Sequence, residues 1–201
     1  MIGVEPAGAN CMQASFAAGK VTTLPTVNTI ADGTAVKTPG SQIFPYIQKN
    51  LDDIITVTDD ELIVSFLDMV ENHKMIVENS GLLTVAALKH LNVKDKRVVS
   101  ILSGGNMDVI TMSSVVQQGL IFRDRIFTVS VLLPDKPGEL AKVSETLAKE
   151  QGNVIKLEHN QFVSTNRNAA VELRITLECL VPITRSGLSR RWKRPDISQR
   201  S

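Results

Sequence analysis

The sequence has 201 residues, 43% of them hydrophobic, which suffices for one large domain or two modest ones and argues against a disordered chain. Its 22 basic and 21 acidic residues leave a net charge of +1, so no global charge favours nucleic acid or an anionic membrane surface. Only Cys11 and Cys179 are present, which indicates neither a disulfide framework nor a zinc cluster, and no apolar run has the length of a membrane span. We therefore expect a cytoplasmic protein.

The first half of the chain predicts alternating strands and helices. Residues 1–5 are apolar and are followed by Pro6, as expected at the end of a buried strand. The Thr-, Pro- and Gly-rich stretch over 20–48 predicts connecting segments around one short element. Thr58 and Glu61 form a capping box before an apolar stripe, which predicts a helix over 59–74, and a second helical stretch is predicted over 82–90.

A glycine-rich turn follows a third apolar segment. Residues 98–102 predict a buried strand that leads directly into Ser103-Gly104-Gly105-Asn106, and residues 108–120 predict a helix. A strand, a glycine-rich turn and a helix in this order indicate an open α/β sheet, in which ligands bind at the carboxyl ends of the strands. Taken alone, the tetrapeptide favours a tight turn that binds nothing over a ligand site.

The periodicity changes after residue 125. Phe127, Val129, Val131 and Leu133 alternate with polar residues, which predicts a strand with one apolar face. A turn at 134–139 then leads into a helix whose Leu140, Val143 and Leu147 share a face, and strands are predicted over 154–159 and 171–177. This order is most of a ferredoxin-like unit, without its second helix and fourth strand.

The carboxyl end differs from the rest. Residues 181–201 contain one acidic residue, Asp196, and six basic residues, which are Arg185, Arg190, Arg191, Lys193, Arg194 and Arg200. No helical or strand period is visible from Cys179 onward, so we expect residues 179–201 to be a disordered basic tail. A nucleic-acid arm is the alternative, but Trp192 has no surrounding fold to present it, and we expect no nucleic-acid partner.

Five segments occur in the order typical of one enzyme family: Ile2-Gly3-Val4-Glu5, Thr29-Ile30-Ala31-Asp32-Gly33, Asp52-Asp53-Ile54 with Thr58-Asp59-Asp60-Glu61, Val77-Glu78, and Leu102-Ser103-Gly104-Gly105-Asn106. Over residues 1 to about 178 the chain resembles the serine/threonine dehydratases, fold type II pyridoxal phosphate enzymes that include threonine ammonia-lyase and serine racemase. The resemblance implies the C-terminal part of an open parallel sheet domain (1–120) and an incomplete ACT regulatory domain of ferredoxin-like α+β fold (121–178).

The resemblance also implies site residues. Ser103 would hydrogen-bond the pyridine nitrogen of pyridoxal 5'-phosphate, Gly104 and Gly105 would let backbone approach the ring, and Asn106 would brace the turn. Glu78 matches a glutamate near the cofactor, although it is equally compatible with a solvated carboxylate at a helix end. In the second domain the turn into the helix resembles an effector-binding loop, formed by Asp135, Lys136, Pro137, Gly138, Glu139 and Leu140.

Two further carboxylates are weaker candidates. Asp32 resembles a residue that shapes the active-site wall, and structural capping is its alternative. Glu5 aligns with a metal ligand of some family members, but the chain has Cys11 where that site uses a carboxylate, and a thiol is a poor ligand for Mg²⁺ or Ca²⁺. We therefore predict no metal site. His73, His90 and His159 are not paired for acid/base work.

The family attaches its cofactor through a lysine in an N-terminal Ser-Phe-Lys type motif, and neither this motif nor the phosphate-binding glycine loop occurs in the sequence. We expect a C-terminal fragment of a threonine or serine dehydratase that has no appreciable activity alone. The alternatives are a non-catalytic amino-acid-binding ACT module and the inert remnant of a disrupted gene. An amino-acid substrate and effector, allosteric control, a role in isoleucine biosynthesis and a homo-oligomeric complete enzyme are implied by resemblance only.

Overall fold

The computed structural model describes residues 1–160 and 171–179. The chain divides into two compact units, Met1–Gly119 and Leu120–Ser201, and each is described by itself. The first unit is α/β, as predicted. Its strands are β1 (Ile2–Pro6) and β2 (Asp53–Val57), and its helices are α1 (Cys11–Ala18), α2 (Phe44–Asn50), α3 (Asp59–Asp68), α4 (Leu83–Ala86) and α5 (Val109–Phe122).

The two strands of the first unit form a parallel sheet, with Ile2 opposite Asp53 and Pro6 opposite Val57. The predicted first strand is confirmed, and it includes Pro6. Strand β2 has no counterpart among the predicted elements. Its sequence, Asp-Ile-Ile-Thr-Val, is too short to show a clear period, and both of its buried residues, Ile54 and Val57, are recognisable only once the sheet is formed.

Helix α3 begins where the capping box predicts. The Thr58 hydroxyl accepts the amide of Glu61, and the Glu61 carboxylate accepts the amide of Thr58, so two amides at the helix start are satisfied. The predicted extent to about residue 74 is confirmed: the α-helix ends at Asp68, and the helical segment continues as a single π-turn over Met69–His73. Lys74 ends the turn in the left-handed conformation, which directs the chain away from the helix axis.

The core of the first unit is built around α3. Leu62 and Phe66 are fully buried, and they pack with residues of β2, α4 and α5 that include Val57, Leu83 and Val115. The apolar stripe that predicts the helix is therefore also the face that stabilises the unit.

The predicted strand over residues 98–102 is wrong. The segment forms no β-ladder in the described residues, and Val99 and Ile101 are 89% and 72% exposed. It is fastened instead to α4, because the Thr84 hydroxyl donates to the Ile101 carbonyl (2.9 Å) and the Ser100 hydroxyl donates to the Thr84 carbonyl (3.3 Å). An apolar segment becomes a parallel strand only when a neighbouring strand supplies the ladder and helices cover both faces.

The predicted helix over 82–90 is confirmed in outline, since 3₁₀ turns at Asn79–Leu82 and Ala87–His90 flank α4. The helix predicted over 108–120 is also confirmed, and Asp108 caps its start by accepting the amides of Ile110 and Thr111 at 2.9 and 3.0 Å.

The second unit contains β3 (Ile126–Leu133), α6 (Glu139–Lys149), β4 (Asn153–Asn160) and β5 (Val171–Glu178). The strands form an antiparallel sheet in the order β3-β5-β4. This strand, helix, strand, strand order is the predicted one. Val143 and Leu147 of α6 are buried against the sheet, and Leu140, in the first turn of the helix, is 47% exposed.

The tail predicted over 179–201 lies, apart from Cys179, outside the described residues. In the described ranges, none of the helices combines the length and the apolar character that crossing a membrane requires.

Candidate functional site

The Ser103–Asn106 turn is an exposed loop whose backbone requires glycine at one position. Gly104 has φ +76°, a conformation that side chains other than glycine rarely adopt. Ser103 is exposed, and among the described residues its hydroxyl has no hydrogen-bond partner. Beside Gly105 the space is open, since an added Cβ would have the Ile76 carbonyl oxygen as its nearest atom, at 4.0 Å. The loop therefore presents a free hydroxyl next to accessible backbone.

Glu78 packs directly on this loop. Its carboxylate accepts the Asn106 amide at 3.2 Å, and its own amide donates to the Gly104 carbonyl at 3.4 Å. A Cβ on Gly104 would lie 2.2 Å from the Glu78 carboxylate, so only glycine leaves room for this contact. The structure thus brings Glu78 together with Gly104 and Asn106, which are 26 and 28 residues away in the sequence, and it places Glu78 against the backbone of the turn.

Gly81 holds the other side of the turn. A Cβ at this position would lie 1.7 Å from the backbone carbonyl oxygen of Ser103, a distance that no pair of such atoms tolerates. The amide of Gly81 in turn donates to the Glu78 carbonyl at 2.9 Å. Glu78 and Gly81 therefore fix the backbone on which the Ser103 hydroxyl is carried.

The segment Thr29–Gly33 is anchored nearby. The Asp59 carboxylate accepts the Thr29 hydroxyl at 2.6 Å and the Ile30 amide at 3.1 Å, while the Asn79 side-chain amide donates to the Ile30 carbonyl at 3.1 Å. Asp32 is exposed and accepts the Gly33 amide at 2.9 Å.

A cavity of about 450 Å³ opens between these segments and helix α5. Three carboxylates, those of Asp32, Glu78 and Asp108, line it together with Asn79 and Asn106. The other lining residues are Thr29, Ile30, Ile63, Met107, Ile110, Thr111, Ser114, Val115 and Gln118. Ser103, Gly104 and Gly105 do not line the cavity. The predicted cofactor residues therefore fall into two groups: these three lie on the open side of the turn, and Glu78 and Asn106 line the cavity.

Glu5 caps helix α1. Its two carboxylate oxygens accept the amides of Met12 and Gln13 at 2.9 and 2.7 Å, and the Cys11 sulfur lies 4.0 Å away. Both oxygens are thus engaged by the helix start, where partial positive charge favours an anion. In the described residues no cluster of three or more His, Cys, Asp or Glu side chains could hold a metal ion.

The Glu5 carboxyl should make folding stability depend on pH. Burial raises its pKa, and the bonds from Gln13 and Met12 oppose this only in part. A raised folded pKa means that the contribution of Glu5 is complete below the unfolded pKa of about 4.3 and is lost as the pH rises through the folded value. We expect wild type to lose stability relative to Glu5→Gln between pH 4 and pH 7, measured by urea unfolding. If the free energies of unfolding of wild type and Glu5→Gln changed in parallel with pH, this expectation would be contradicted.

The predicted effector loop borders a small cavity in the second unit. Pro134, Asp135, Lys136, Glu139 and Leu140 line about 50 Å³ of space together with His159, Leu133, Val171 and Leu173. Gly138 has φ +92°, and the Glu139 carboxylate pairs with Lys142 at 2.6 Å. The volume is that of one or two water molecules, so it accommodates a single polar group and not a whole amino acid.

Comparison with known proteins settles the family. A model of the family described as "Pyridoxal-phosphate dependent enzyme" matches residues 1–104, which is more than half of the chain. The chain belongs to this family. Sequence identity is 36% over 180 residues with an L-threonine ammonia-lyase of Geobacter sulfurreducens, and 33% over 162 residues with one of Thermotoga maritima. The matches cover 89% and 80% of this chain but 45% and 40% of the relatives, so the family member spans less than half of their length.

Solved structures agree with this assignment. The processed form of threonine deaminase isoform 2 from Solanum lycopersicum aligns with a TM-score of 0.55 at 31% identity, over 60% of this chain and 34% of that chain. Maize serine racemase aligns with a TM-score of 0.51 at 32% identity, over 61% of this chain and 39% of that chain.

The residues of this family member fit one part of the cofactor. A flat ring requires open space and a group for its nitrogen, and the free Ser103 hydroxyl beside Gly105 offers both. The phosphate requires a cradle of amides or cations. The cavity behind the loop does not provide one, because its described lining contains three carboxylates and no Lys, Arg or His.

Sequence reasoning misses three residues that shape this site. They are Gly81, Asn79 and Asp59. Each contacts a predicted segment that lies 22 to 49 residues away along the chain. The sequence signal at Ser80-Gly81 indicates only an interruption between two helices. Asp59 lies in the first turn of α3, where an acidic residue is explained by the helix dipole alone.

Proposed function

We propose that this chain is part of a pyridoxal phosphate dependent threonine (serine) dehydratase, whose complete form converts threonine to 2-oxobutanoate, or serine to pyruvate, with release of ammonia. The observation that carries the proposal is the free Ser103 hydroxyl on a loop that Glu78 and Gly81 hold in place. It is supported by 36% identity to a relative that is named L-threonine ammonia-lyase.

Bound pyridoxal phosphate supplies an electron sink for the bonds at the substrate α-carbon. The Ser103 hydroxyl would orient the ring through its nitrogen. As a neutral group it would hold a proton on that nitrogen less firmly than a carboxylate would. Gly104 and Gly105 let the backbone approach, and Glu78 fixes the loop. No lysine of the chain lies in a Ser-Phe-Lys type motif.

The proposal is tested with a chimaera in which residues 1–178 of this chain replace the matched region of the Geobacter sulfurreducens relative. We expect 2-oxobutanoate from threonine, and for Ser103→Ala a loss of kcat/KM of roughly tenfold, the value of one hydrogen bond to a charged or strongly polar group. Ser144→Ala, whose hydroxyl bonds only within α6, is the matched control. A folded, cofactor-loaded chimaera without 2-oxo acid production would refute the proposal.

The isolated chain is expected to give no 2-oxobutanoate from threonine with added cofactor, because no lysine is placed to attach it. Appearance of the product with the purified 201-residue chain would contradict this part.

We also propose a cytoplasmic location, a homo-oligomeric complete enzyme and a role in isoleucine biosynthesis. The last is supported by the name of a Staphylococcus aureus relative at 29% identity, L-threonine dehydratase biosynthetic IlvA.

A second candidate function concerns the second unit, which we propose to be an incomplete ACT domain that senses an amino acid for allosteric control. Lys136 and Asp135 at the small cavity offer opposite charges; its space of about 50 Å³ takes one polar group of an amino acid, and the rest of the ligand would lie outside it. Calorimetry of the chain with isoleucine, valine and threonine tests it. Heat of binding with one of the three supports a sensor, and its absence with all three removes this candidate.

A further inference from the structure

We propose that the 450 Å³ cavity of the first unit binds a primary ammonium group on a short carbon skeleton. The preference for a cationic ligand follows from the charges that line the cavity. The choice of an amino acid derivative as the ligand rests on the function proposed above.

The charge of the cavity is one-sided. Its described lining carries the carboxylates of Asp32, Glu78 and Asp108 and no cationic side chain. The Thr111 hydroxyl and the amides at the start of α5 hold the pKa of Asp108 below its usual range, so this group stays charged at neutral pH. Carboxylates around a concave surface focus a negative potential that attracts cations.

An unsatisfied buried acceptor gives independent support. Asn79 is 4% exposed and lines the cavity, and its amide group donates to the Ile30 carbonyl, while its Oδ1 has no hydrogen-bond partner in the described structure. Buried polar atoms without partners in a native protein call for a ligand, an ion or a water molecule.

An ammonium group matches this set of atoms better than a metal ion does. It carries three donors and no acceptor, and the cavity offers acceptors on Asp32 and Asn79, while Asp108, whose two oxygens already accept from Ile110 and Thr111, adds negative charge. A divalent metal requires several oxygen ligands at one point, and the described residues contain no such cluster. The apolar residues Ile30, Ile63 and Met107 leave room beside the acceptors for a few carbon atoms.

The probe is L-threoninamide, which has an ammonium group and no carboxylate, and the matched control ligand is N-acetyl-L-threoninamide, which has lost the charge. Both are titrated into the full chain without cofactor, by calorimetry and by amide chemical shifts. We expect saturable binding of the first only, with shifts at Asn79, Asn106 and Thr111. Equal binding of both ligands, or binding of neither, would overturn the proposal.

Variants locate the site. Asp32→Asn and Asp108→Asn should each weaken binding roughly tenfold, since each removes one negative charge from the lining of the cavity. Asparagine also caps helices well, so Asp108→Asn keeps the start of α5 and remains informative if Asp32→Asn does not fold. The control is Asp95→Asn, an exposed residue outside the cavity with φ +60°, which asparagine tolerates. Unchanged affinity in both cavity variants would refute the site.

These measurements are independent of catalysis. An inactive chimaera with intact binding of threoninamide would refute the proposed dehydratase and leave the ammonium site supported. An active chimaera that does not bind threoninamide would refute the ammonium site and support the dehydratase.

Discussion

Replacing Gly81 by alanine is expected to lower the free energy of unfolding by about 3 kcal/mol, the upper end for overpacking, because the new methyl group meets backbone. The Ser103 carbonyl oxygen would be 1.7 Å from the added Cβ, and a backbone atom cannot turn aside as a flexible side chain does. Either Ser103 moves together with its loop, or Gly81 moves away from Glu78.

The matched control is Gly105→Ala. It adds the same methyl group in the same loop region, but the nearest atom is 4.0 Å away. We expect this variant to unfold within about 0.5 kcal/mol of wild type. Urea unfolding gives the free energies, and hydrogen exchange at the Asn106 amide reports whether its bond to Glu78 is lost in Gly81→Ala. Equal stability of the two variants would show that the close approach of Gly81 to Ser103 is not obligatory.

Phe66→Ala is expected to destabilise the first unit by about 4 kcal/mol, the value typical of a large aromatic side chain removed from a core. Phe66 is fully buried on α3, between residues of the surrounding helices, and the cavity left behind cannot collapse without moving them. Hydrogen exchange of the α3 amides measures this unit separately, since the chain contains two units.

The control for Phe66→Ala is Tyr46→Ala, an aromatic residue on α2 that is 68% exposed. Its loss should change the stability by no more than about 0.5 kcal/mol. A cost below about 1 kcal/mol for Phe66→Ala would mean that α3 is not the centre of the core.

Local signals in the sequence predict the elements that local physics determines. The capping box at Thr58 and Glu61 places the start of α3 correctly because both partners lie within one helical turn. The alternation from Phe127 to Leu133 predicts β3 because its period alone defines the buried face. Neither prediction requires knowledge of the rest of the fold.

The wrong and missing predictions all depend on distant neighbours. Residues 98–102 have strand-like composition, but a strand exists only with a ladder partner, and none lies beside them in the described ranges. The hydrogen bond from the Asn106 amide to the Glu78 carboxylate joins residues that are 28 apart in the sequence, and no period or spacing encodes such a contact. The family resemblance brings Glu78 and Ser103 into one hypothesis, whereas the geometry of the loop comes from the fold.

The exposed run at residues 98–101 has a practical consequence for handling this protein. Val99 and Ile101 are exposed on a segment outside any helix or ladder, and proteases cleave exposed irregular chain most readily. A single nick there would sever the covalent path between Glu78 and the Ser103 loop while their noncovalent contacts persist. Samples that run as one species in native gels can therefore separate into two fragments under denaturing conditions.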